Sequence, residues 1–307
     1  MHVVFLIMLQ VLTLMLIGYT SLRKRSNLKN ELLLLCFMVL GLLHVILADP
    51  FSTAEEYFIM VALMFIIPTV GFMAMLVVIF ASRNAHVDAV KNRTYLDEVK
   101  RKAFHFVALA MFVPREIYRQ IYEIVIDGTY VTFGIMIEKR VDGFLCFLLF
   151  AVVFSLLILF SVIEFLRLNF KPTLFGSLLR EKELNQLASY FYSAVAIYLV
   201  VLFFFPYDVI VSAAIAMGFL ADLVACLIGM RLHRIKFGDR SVEGTVANLI
   251  AGIIVGYYFV GWVAVPAALI IAVFDFVNGG FGLNLNDNLL FPLIAAAFLV
   301  FFGAASF

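Results

Sequence analysis

Long runs of apolar residues, separated by short polar loops, make up most of the chain. A helix needs roughly 20 mainly apolar residues to cross the hydrocarbon core of a bilayer, and only helices or closed barrels can span it. Runs of this length predict an all-α, polytopic membrane protein with about ten spans. We place these spans near residues 3–20, 31–48, 57–81, 103–122, 143–168, 187–205, 208–230, 243–260, 262–278 and 288–305.

The composition supports a membrane protein and excludes several other classes. Hydrophobic residues make up 65% of the chain and the mean hydropathy is +1.09, far from the range of soluble domains. A net charge of +1 provides no broad positive surface, so no nucleic-acid partner is expected. The three cysteines lack metal-binding or redox spacing, which favours a packing role. Without an internal repeat or a soluble segment, residues 1–307 form a single membrane domain.

Basic residues cluster in every second loop, and this pattern predicts the orientation of the chain. Short loops rich in Lys and Arg stay on the cytoplasmic side. The loops after the first, third, fifth and seventh spans are basic, so we expect the amino terminus outside and these loops in the cytoplasm. Residues 114–142 are the exception, because they would be external yet carry four basic side chains.

Asp222 lies inside a predicted span, where an ionisable side chain is costly and indicates a functional site or a charged partner. Asp222, Ala225 and Gly229 share one helix face because they are spaced i, i+3 and i+7. A second acid, Asp275, also lies within a span, and two readings stay open for it: a site residue, or a structural partner of Arg or Lys.

The loop between the spans at 208–230 and 243–260 is typical of an anion site. It carries Lys236 and Arg240, has Gly238 for a turn, and ends at Ser241, which is suited to cap the next helix. A helix amino terminus has free N–H groups and a partial positive charge, so with basic side chains nearby it favours phosphate. The alternative is a loop that only fixes topology, but the nearby acids and glycines favour a site.

Two further stretches have chemistry that suits a phosphate site. Asp287 and Asn288 begin the last span, and a carboxylate beside an amide oxygen suits Mg²⁺, which prefers a few protein oxygens with waters and phosphates. His105 follows Arg101 and Lys102 into the span at 103–122. It is either a proton carrier or an interfacial histidine with a structural role.

Four quoted segments together resemble the CTP-dependent polyprenol kinases, the family of dolichol kinase and plant phytol kinase. They are "RKAFHFVALAMFVP", "EFLRLNFKP" with Glu164 and Arg167, "ADLVACLIGMRLHRIKFGDRSVEGT" and "NDNLLFPL". The resemblance covers residues 100–293, whereas residues 1–99 show no usable match. Arg240 stands where the family usually has lysine, which keeps the charge but changes the donor geometry.

The resemblance implies that γ-phosphate moves from CTP to the hydroxyl of a long-chain isoprenoid alcohol taken from the bilayer, at the cytoplasmic face. It implies a nucleotide- and phosphate-binding set of Arg101, Lys102, Gly229, Lys236, Gly238, Arg240, Ser241, Gly244 and Thr245. A Mg²⁺ cofactor would be bound by Asp222, Asp287 and Asn288. The catalytic base stays open among His105, Asp287 and Glu243, in that order of preference.

Two other functions remain as alternatives. A cytidylyltransferase acting on a lipid phosphate would use the same nucleotide, metal and interface, but it would release pyrophosphate. A membrane transporter would line a path with acids and broken helices, and transporters often carry repeated halves that this chain lacks. The polar residues gather on one face of the predicted membrane domain, which favours the kinase.

Overall fold

The computed structural model describes the carboxyl-terminal half of the chain almost continuously. The described residues are 28–48, 153–168 except 155, 186–204, 207–232, 234–238 and 240–303, together with 7, 10, 11, 14, 15, 17–19, 102, 179 and 183. The predicted spans at 57–81 and 103–122, and the segment 114–142, lie wholly outside these residues.

The described residues are mostly helical, which confirms the all-α class. Helical residues 156–168 precede α2. The six helices with defined bounds are α1 Leu28–Ala48, α2 Ser189–Phe204, α3 Asp208–Leu232, α4 Val242–Val260, α5 Ala264–Gly280 and α6 Asp287–Phe301.

Among the described residues, three helical stretches are long and apolar enough to cross a membrane: Lys29–Leu47, Val209–Leu232 and Val242–Gly280. α2 and α6 are apolar but shorter, with 16 and 15 residues. Helices of this length and composition belong in a bilayer, so the chain is a membrane protein. The count of about ten spans extends over residues outside the described part and stays a prediction.

The 39-residue stretch Val242–Gly280 is a helical hairpin and not one straight helix. A 3₁₀ turn at Gly261–Val263 separates α4 from α5, and Gly261 has a φ of 58°, which favours glycine. Gly252 faces Ala268, and Gly256 faces Ala264. The residue numbers rise along α4 while those of the facing residues fall along α5, so the two helices are antiparallel. This agrees with separate spans at 243–260 and 262–278.

α3 lies at the centre and packs against both α4 and α6. Small residues permit this close packing: a Cβ on Gly218 would lie 2.7 Å from the Pro292 ring of α6. On the other side, a Cβ on Gly244 would lie 3.4 Å from the Cα of Gly229. Glycines therefore let α3 approach both α4 and α6 closely, and these contacts fix which helix ends meet.

One end of the bundle collects the polar residues. The carboxyl ends of α3 and α5 meet the amino ends of α4 and α6 there, because these neighbours are antiparallel. The start of α1 joins them, since the Asn30 amide donates to the carbonyl of Asn284 at 2.9 Å. This arrangement brings distant loops of the sequence to a common site.

A two-stranded antiparallel hairpin connects α3 to α4 at this end. Its strands are β1 Lys236–Phe237 and β2 Arg240–Ser241, with Gly238 in the turn at a φ of 58°. Phe237 stacks on Phe276 of α5, with ring centroids 4.6 Å apart. The turn predicted at Gly238 is confirmed.

The hairpin lies directly on the last turn of α5, where Gly279 and Gly280 offer no side chains. A Cβ on Gly279 would overlap the Arg240 side chain, and one on Gly280 would overlap the Phe237 ring. The glycine pair therefore sets how closely the hairpin approaches α5.

The Glu-x-x-Arg stretch anchors the chain that leads into α2. The Arg167 guanidinium donates to the Glu164 carboxylate, at 2.6 Å in its shortest contact. It also donates to the carbonyls of Glu183 and Gln186, at 2.8 and 2.6 Å. Both charged side chains are buried, so the pair has a structural function here.

Candidate functional site

A cavity of about 490 Å³ opens where the hairpin meets α3, α4 and α5. Its volume is in the range usual for small-molecule sites. The hairpin contributes Lys236, Gly238, Arg240 and Ser241 to the lining, and the helices contribute Gly229, Gly244 and Thr245. The structure thus brings seven of the predicted phosphate-binding residues to one cavity.

The amino terminus of α4 forms one wall of this cavity. Ser241 is its N-cap in an extended conformation, and the Ser241 hydroxyl accepts a hydrogen bond from the Gly244 amide at 3.1 Å. The predicted cap is confirmed. Gly229 of α3 lies against this turn, where a Cβ would be 3.0 Å from the Ser241 hydroxyl oxygen. The first turn of α4 therefore lies beside the cavity, where the positive end of the helix dipole favours an anion. Its amides at Val242 and Gly244 are already bonded, to the Ile235 carbonyl and to the Ser241 hydroxyl.

Arg240 is bound by two carboxylates from different helices. Its Nη2 atom is 2.9 Å from Asp275 Oδ1 on α5 and 2.8 Å from Asp287 Oδ2 on α6. Burial lowers the pKa of the Arg240 guanidinium, but Asp287 and Asp275 outweigh this effect and raise the pKa above its ordinary value. Arg240 is consequently a permanent cation at the cavity wall.

Asp222 forms an ion pair with Lys102, and both side chains are buried. The contact joins two of the predicted site residues across 120 positions of sequence. Lys102 also acts electrostatically on Asp275, so the two ion-paired groups form one charged region. Arg101 and His105 lie outside the described residues, and their predicted roles stay predictions.

The packing of α3 against α6 places Asp222 level with Asn288. Gly218 touches Pro292 in this antiparallel pair, and Asp222 and Asn288 are each one helical turn nearer the polar end. Asp287 precedes Asn288 and reaches Arg240. The three predicted metal-binding residues thus lie at neighbouring depths at the same end of the bundle.

The donor set suits Mg²⁺ when phosphates complete the coordination. Within the described part of the chain, no three His, Cys, Asp or Glu side chains come together to hold a metal. However, Asn288 is only 4% exposed and its Oδ1 has no hydrogen-bond partner. An oxygen in this state is a ready ligand, and Mg²⁺ commonly takes one or two carboxylates with substrate phosphates. Asp287 and Asn288 therefore offer oxygen ligands of the kind that Mg²⁺ takes.

Two asparagines hold the loop that delivers Asp287. The Asn278 side chain donates to the Leu285 carbonyl at 2.8 Å and accepts from the Leu285 amide at 2.9 Å. Asn30 accepts from the Asn286 amide at 2.9 Å. These side chains satisfy backbone N–H and C=O groups that would otherwise need a partner in a helix or strand. They therefore fix the loop just before α6 begins.

Glu243 has a different position from the other candidate bases. Its Oε1 accepts from the backbone amides of Arg234 and Ile235, at 3.2 and 3.1 Å, which ties the loop to α4. Glu243 also lines an apolar groove of about 640 Å³ between α3 and α4, together with Ile250 and Ile254. Residues 243, 250 and 254 share one face of α4, which is turned away from Thr245 and lies about 100° from Gly244, since successive residues are about 100° apart. Among the described candidates, Asp287 is the one joined to the cavity, through Arg240.

Comparison with known proteins finds a relative but no stated activity. No family model matches the chain, and no solved structure matches it. Over 185 residues, 59% of the chain, it is 30% identical to the uncharacterized protein MJ1137 of Methanocaldococcus jannaschii, and the match covers 91% of that protein. The chain belongs to the family of MJ1137. Because the name of this relative states no activity, the function is argued from the site.

The site also contains residues that were not among the predicted ligands. Asp275 lines the cavity and pairs with Arg240, which bears out its reading as a partner of Arg. Asn248 of α4 is buried and donates to Asp275 at 3.5 Å. The sequence signals for Asp275 and Asn248 were an acid and an amide within predicted spans. No signal marked Gly279 as a site residue, because its contact with Arg240 depends on the antiparallel packing of α4 and α5.

Proposed function

We propose that this protein is a membrane-embedded lipid kinase that transfers the γ-phosphate of CTP to the hydroxyl of a long-chain isoprenoid alcohol, a dolichol or polyprenol. The observation that supports it best is the cavity at the polar end of the bundle, where a basic hairpin and a helix amino terminus meet buried carboxylates. A polyanion from water and an alcohol from the bilayer can both reach such a position. We assign this end to the cytoplasmic face because its loop is basic.

The basic side chains and hydroxyls of the cavity would bind the phosphates of CTP, with Gly244 allowing close approach. Lys236 and Arg240 supply positive charge, and the hydroxyls of Ser241 and Thr245 supply directed donors. Phosphoryl transfer depends mostly on positioning and on neutralising charge, which is what this set provides. By the family resemblance, Arg101 and Lys102 would add further positive charge to this set.

The acids at this end of the bundle require a divalent cation for this function. Asp222, Asp275 and Asp287 lie around the same region, so a polyphosphate alone would meet repulsion. Asp287, Asn288 and Asp222 would hold Mg²⁺. The ion would screen the phosphates and polarise the transferred group.

The transfer step requires one proton acceptor. The alcohol oxygen forms a bond to the γ-phosphorus while the bond from that phosphorus to the β,γ-bridging oxygen breaks, and CDP leaves with this electron pair. The hydroxyl proton passes to a base, for which His105, Asp287 and Glu243 remain the candidates. Asp287 has the closest link to the cavity among the described two.

The exposed apolar surface of α4 and α5 supports access from lipid. Large side chains such as Ile254 and Val273 stay exposed on these helices, and so does Trp262 in the turn between them. Such surfaces belong against acyl chains, and an isoprenoid tail has the same character. The alcohol head group would then only have to reach the end of the helices.

Purified protein in detergent micelles, supplied with Mg²⁺ and γ-labelled CTP, tests the proposal. The acceptors are dolichol, a polyprenol, phytol and phosphatidic acid. We expect label in a lipid monophosphate, with the long-chain alcohols preferred. Release of labelled pyrophosphate only with phosphatidic acid would instead identify a cytidylyltransferase, and no turnover with any acceptor would favour transport.

A further inference from the structure

Arg240 occupies the position of a counter-ion between two carboxylates. One nitrogen, Nη2, approaches both Asp275 and Asp287, at 2.9 and 2.8 Å. The contact with Asp287 is a hydrogen bond, whereas Asp275 Oδ1 makes an ion pair without hydrogen-bond geometry. Arg240 is thus held by opposing attractions and is not locked to one partner.

Asp275 depends on Arg240 for compensation of its charge. Its side chain is 3% exposed, and its hydrogen bond from the Asn248 amide is long at 3.5 Å. Lys102 acts on it electrostatically, but Lys102 is ion-paired with Asp222. A buried carboxylate needs a paired cation, so Asp275 retains the guanidinium strongly while the cavity is empty.

A phosphate bound in the cavity competes for the same guanidinium. Arg240 lines the cavity, and its side chain is 27% exposed, so its donors can reach a ligand there. Guanidinium binds phosphate oxygens in a forked geometry that it cannot adopt fully while Nη2 serves two carboxylates. Phosphate binding and the Asp275 contact are therefore alternatives for Nη2.

We propose that Asp275 is a positioning residue that holds the Arg240 guanidinium at the cavity wall, and that polyphosphate binding transfers this guanidinium from Asp275 to phosphate oxygens. The inference rests on the proposed function only in taking polyphosphate as the anion. When Arg240 leaves, Asp275 and Asp287 lose their shared cation. A divalent cation bound nearby replaces that charge, so polyphosphate and divalent cation bind with positive coupling.

The exchange predicts an unusual effect of the variant Asp275→Asn. Without the competing carboxylate, Arg240 is available to the ligand at once, so polyphosphate binds more tightly in the absence of metal. The expected gain is about tenfold, the size of one close charge pair lost to the competitor. A residue that only maintained the fold would weaken binding when replaced.

Isothermal titration of the full chain in detergent micelles with inorganic tripolyphosphate tests this, once in EDTA and once in Mg²⁺. Asp275→Asn is expected to bind about tenfold more tightly than wild type in EDTA, and to gain less affinity than wild type when Mg²⁺ is added. Unchanged or weaker binding in EDTA would overturn the proposal. So would a wild type that binds no tripolyphosphate in either condition.

A matched pair of variants separates this exchange from simple repulsion by Asp275. In an Arg240→Gln background, Asp275→Asn should bring little further gain, because the guanidinium is already absent. An equal gain in that background would overturn the proposal. If Arg240→Gln does not fold, Arg240→Lys replaces it, since one ammonium cannot reproduce the fork, and the gain should again shrink.

These outcomes are independent of the lipid kinase reaction. Coupled binding of tripolyphosphate and Mg²⁺ without transfer to any alcohol would contradict the proposed function and leave the exchange intact. Transfer activity in a protein whose tripolyphosphate binding is unchanged by Asp275→Asn would support the proposed function and contradict the exchange.

Discussion

Replacing Arg240 by alanine should destabilise the fold as well as impair the site. The change leaves Asp275, at 2% exposure, as a buried carboxylate without its ion-pair partner and with a long contact from Asn248. Removing one partner of a buried ion pair costs about 3 kcal/mol at the lower end of the measured range. The lower end applies because the Arg240 and Asp287 side chains are 27% and 24% exposed, so water screens part of the pair.

The rescue variant determines whether charge is the cause. Arg240→Ala combined with Asp275→Asn has no unpaired carboxylate at position 275, so it should recover most of the lost stability. The remaining deficit, about 1 kcal/mol, reflects the lost packing of the arginine stem on Gly279.

Thermal unfolding in detergent micelles, followed by intrinsic fluorescence at one heating rate, measures both effects. The midpoint of Arg240→Ala should fall by several degrees, and the double variant should return close to wild type. Lys236→Ala is the matched control, because Lys236 is an exposed cation of the same hairpin. A double variant less stable than the single one would refute the reasoning.

The other predictions concern positions where the backbone is in close contact. Gly279→Ala introduces a Cβ that overlaps the Arg240 side chain, so tripolyphosphate affinity should fall roughly tenfold; titration checks this, and unchanged affinity would show that Arg240 can bind from another position. Gly218→Ala sets a methyl 2.7 Å from the Pro292 ring and should cost about 1–3 kcal/mol in thermal unfolding; a wild-type midpoint would mean that α3 and α6 separate freely. Ser241→Ala removes the cap of α4 and should cost about 1 kcal/mol, whereas Ser241→Asp should keep the fold.

The helices that could be predicted are those set by local apolar length. The spans expected at 208–230 and 243–260 are helices Asp208–Leu232 and Val242–Val260, since a continuous apolar run ends where polar residues begin. The turn at Gly238 and the cap at Ser241 were predictable for a similar reason. Each depends on the chemistry of a few adjacent residues.

The charge pairs were not predictable, because they join parts of the sequence that only the packing brings together. The Arg240 contacts with Asp275 and Asp287 require α4, α5 and α6 in their antiparallel order. That order depends on small residues, such as Gly218 against Pro292. An acid inside a span indicated a partner but not its identity.

The most direct test of the account follows the two ends of the triphosphate in one reaction. CTP labelled separately at the α- and γ-phosphates is incubated with the purified protein, Mg²⁺ and a long-chain polyprenol. The account predicts that γ-label enters the lipid while α-label stays in CDP, and that Asp222→Asn reduces this transfer strongly. Transfer of the α-label to the lipid, or transfer of neither label, would contradict the account.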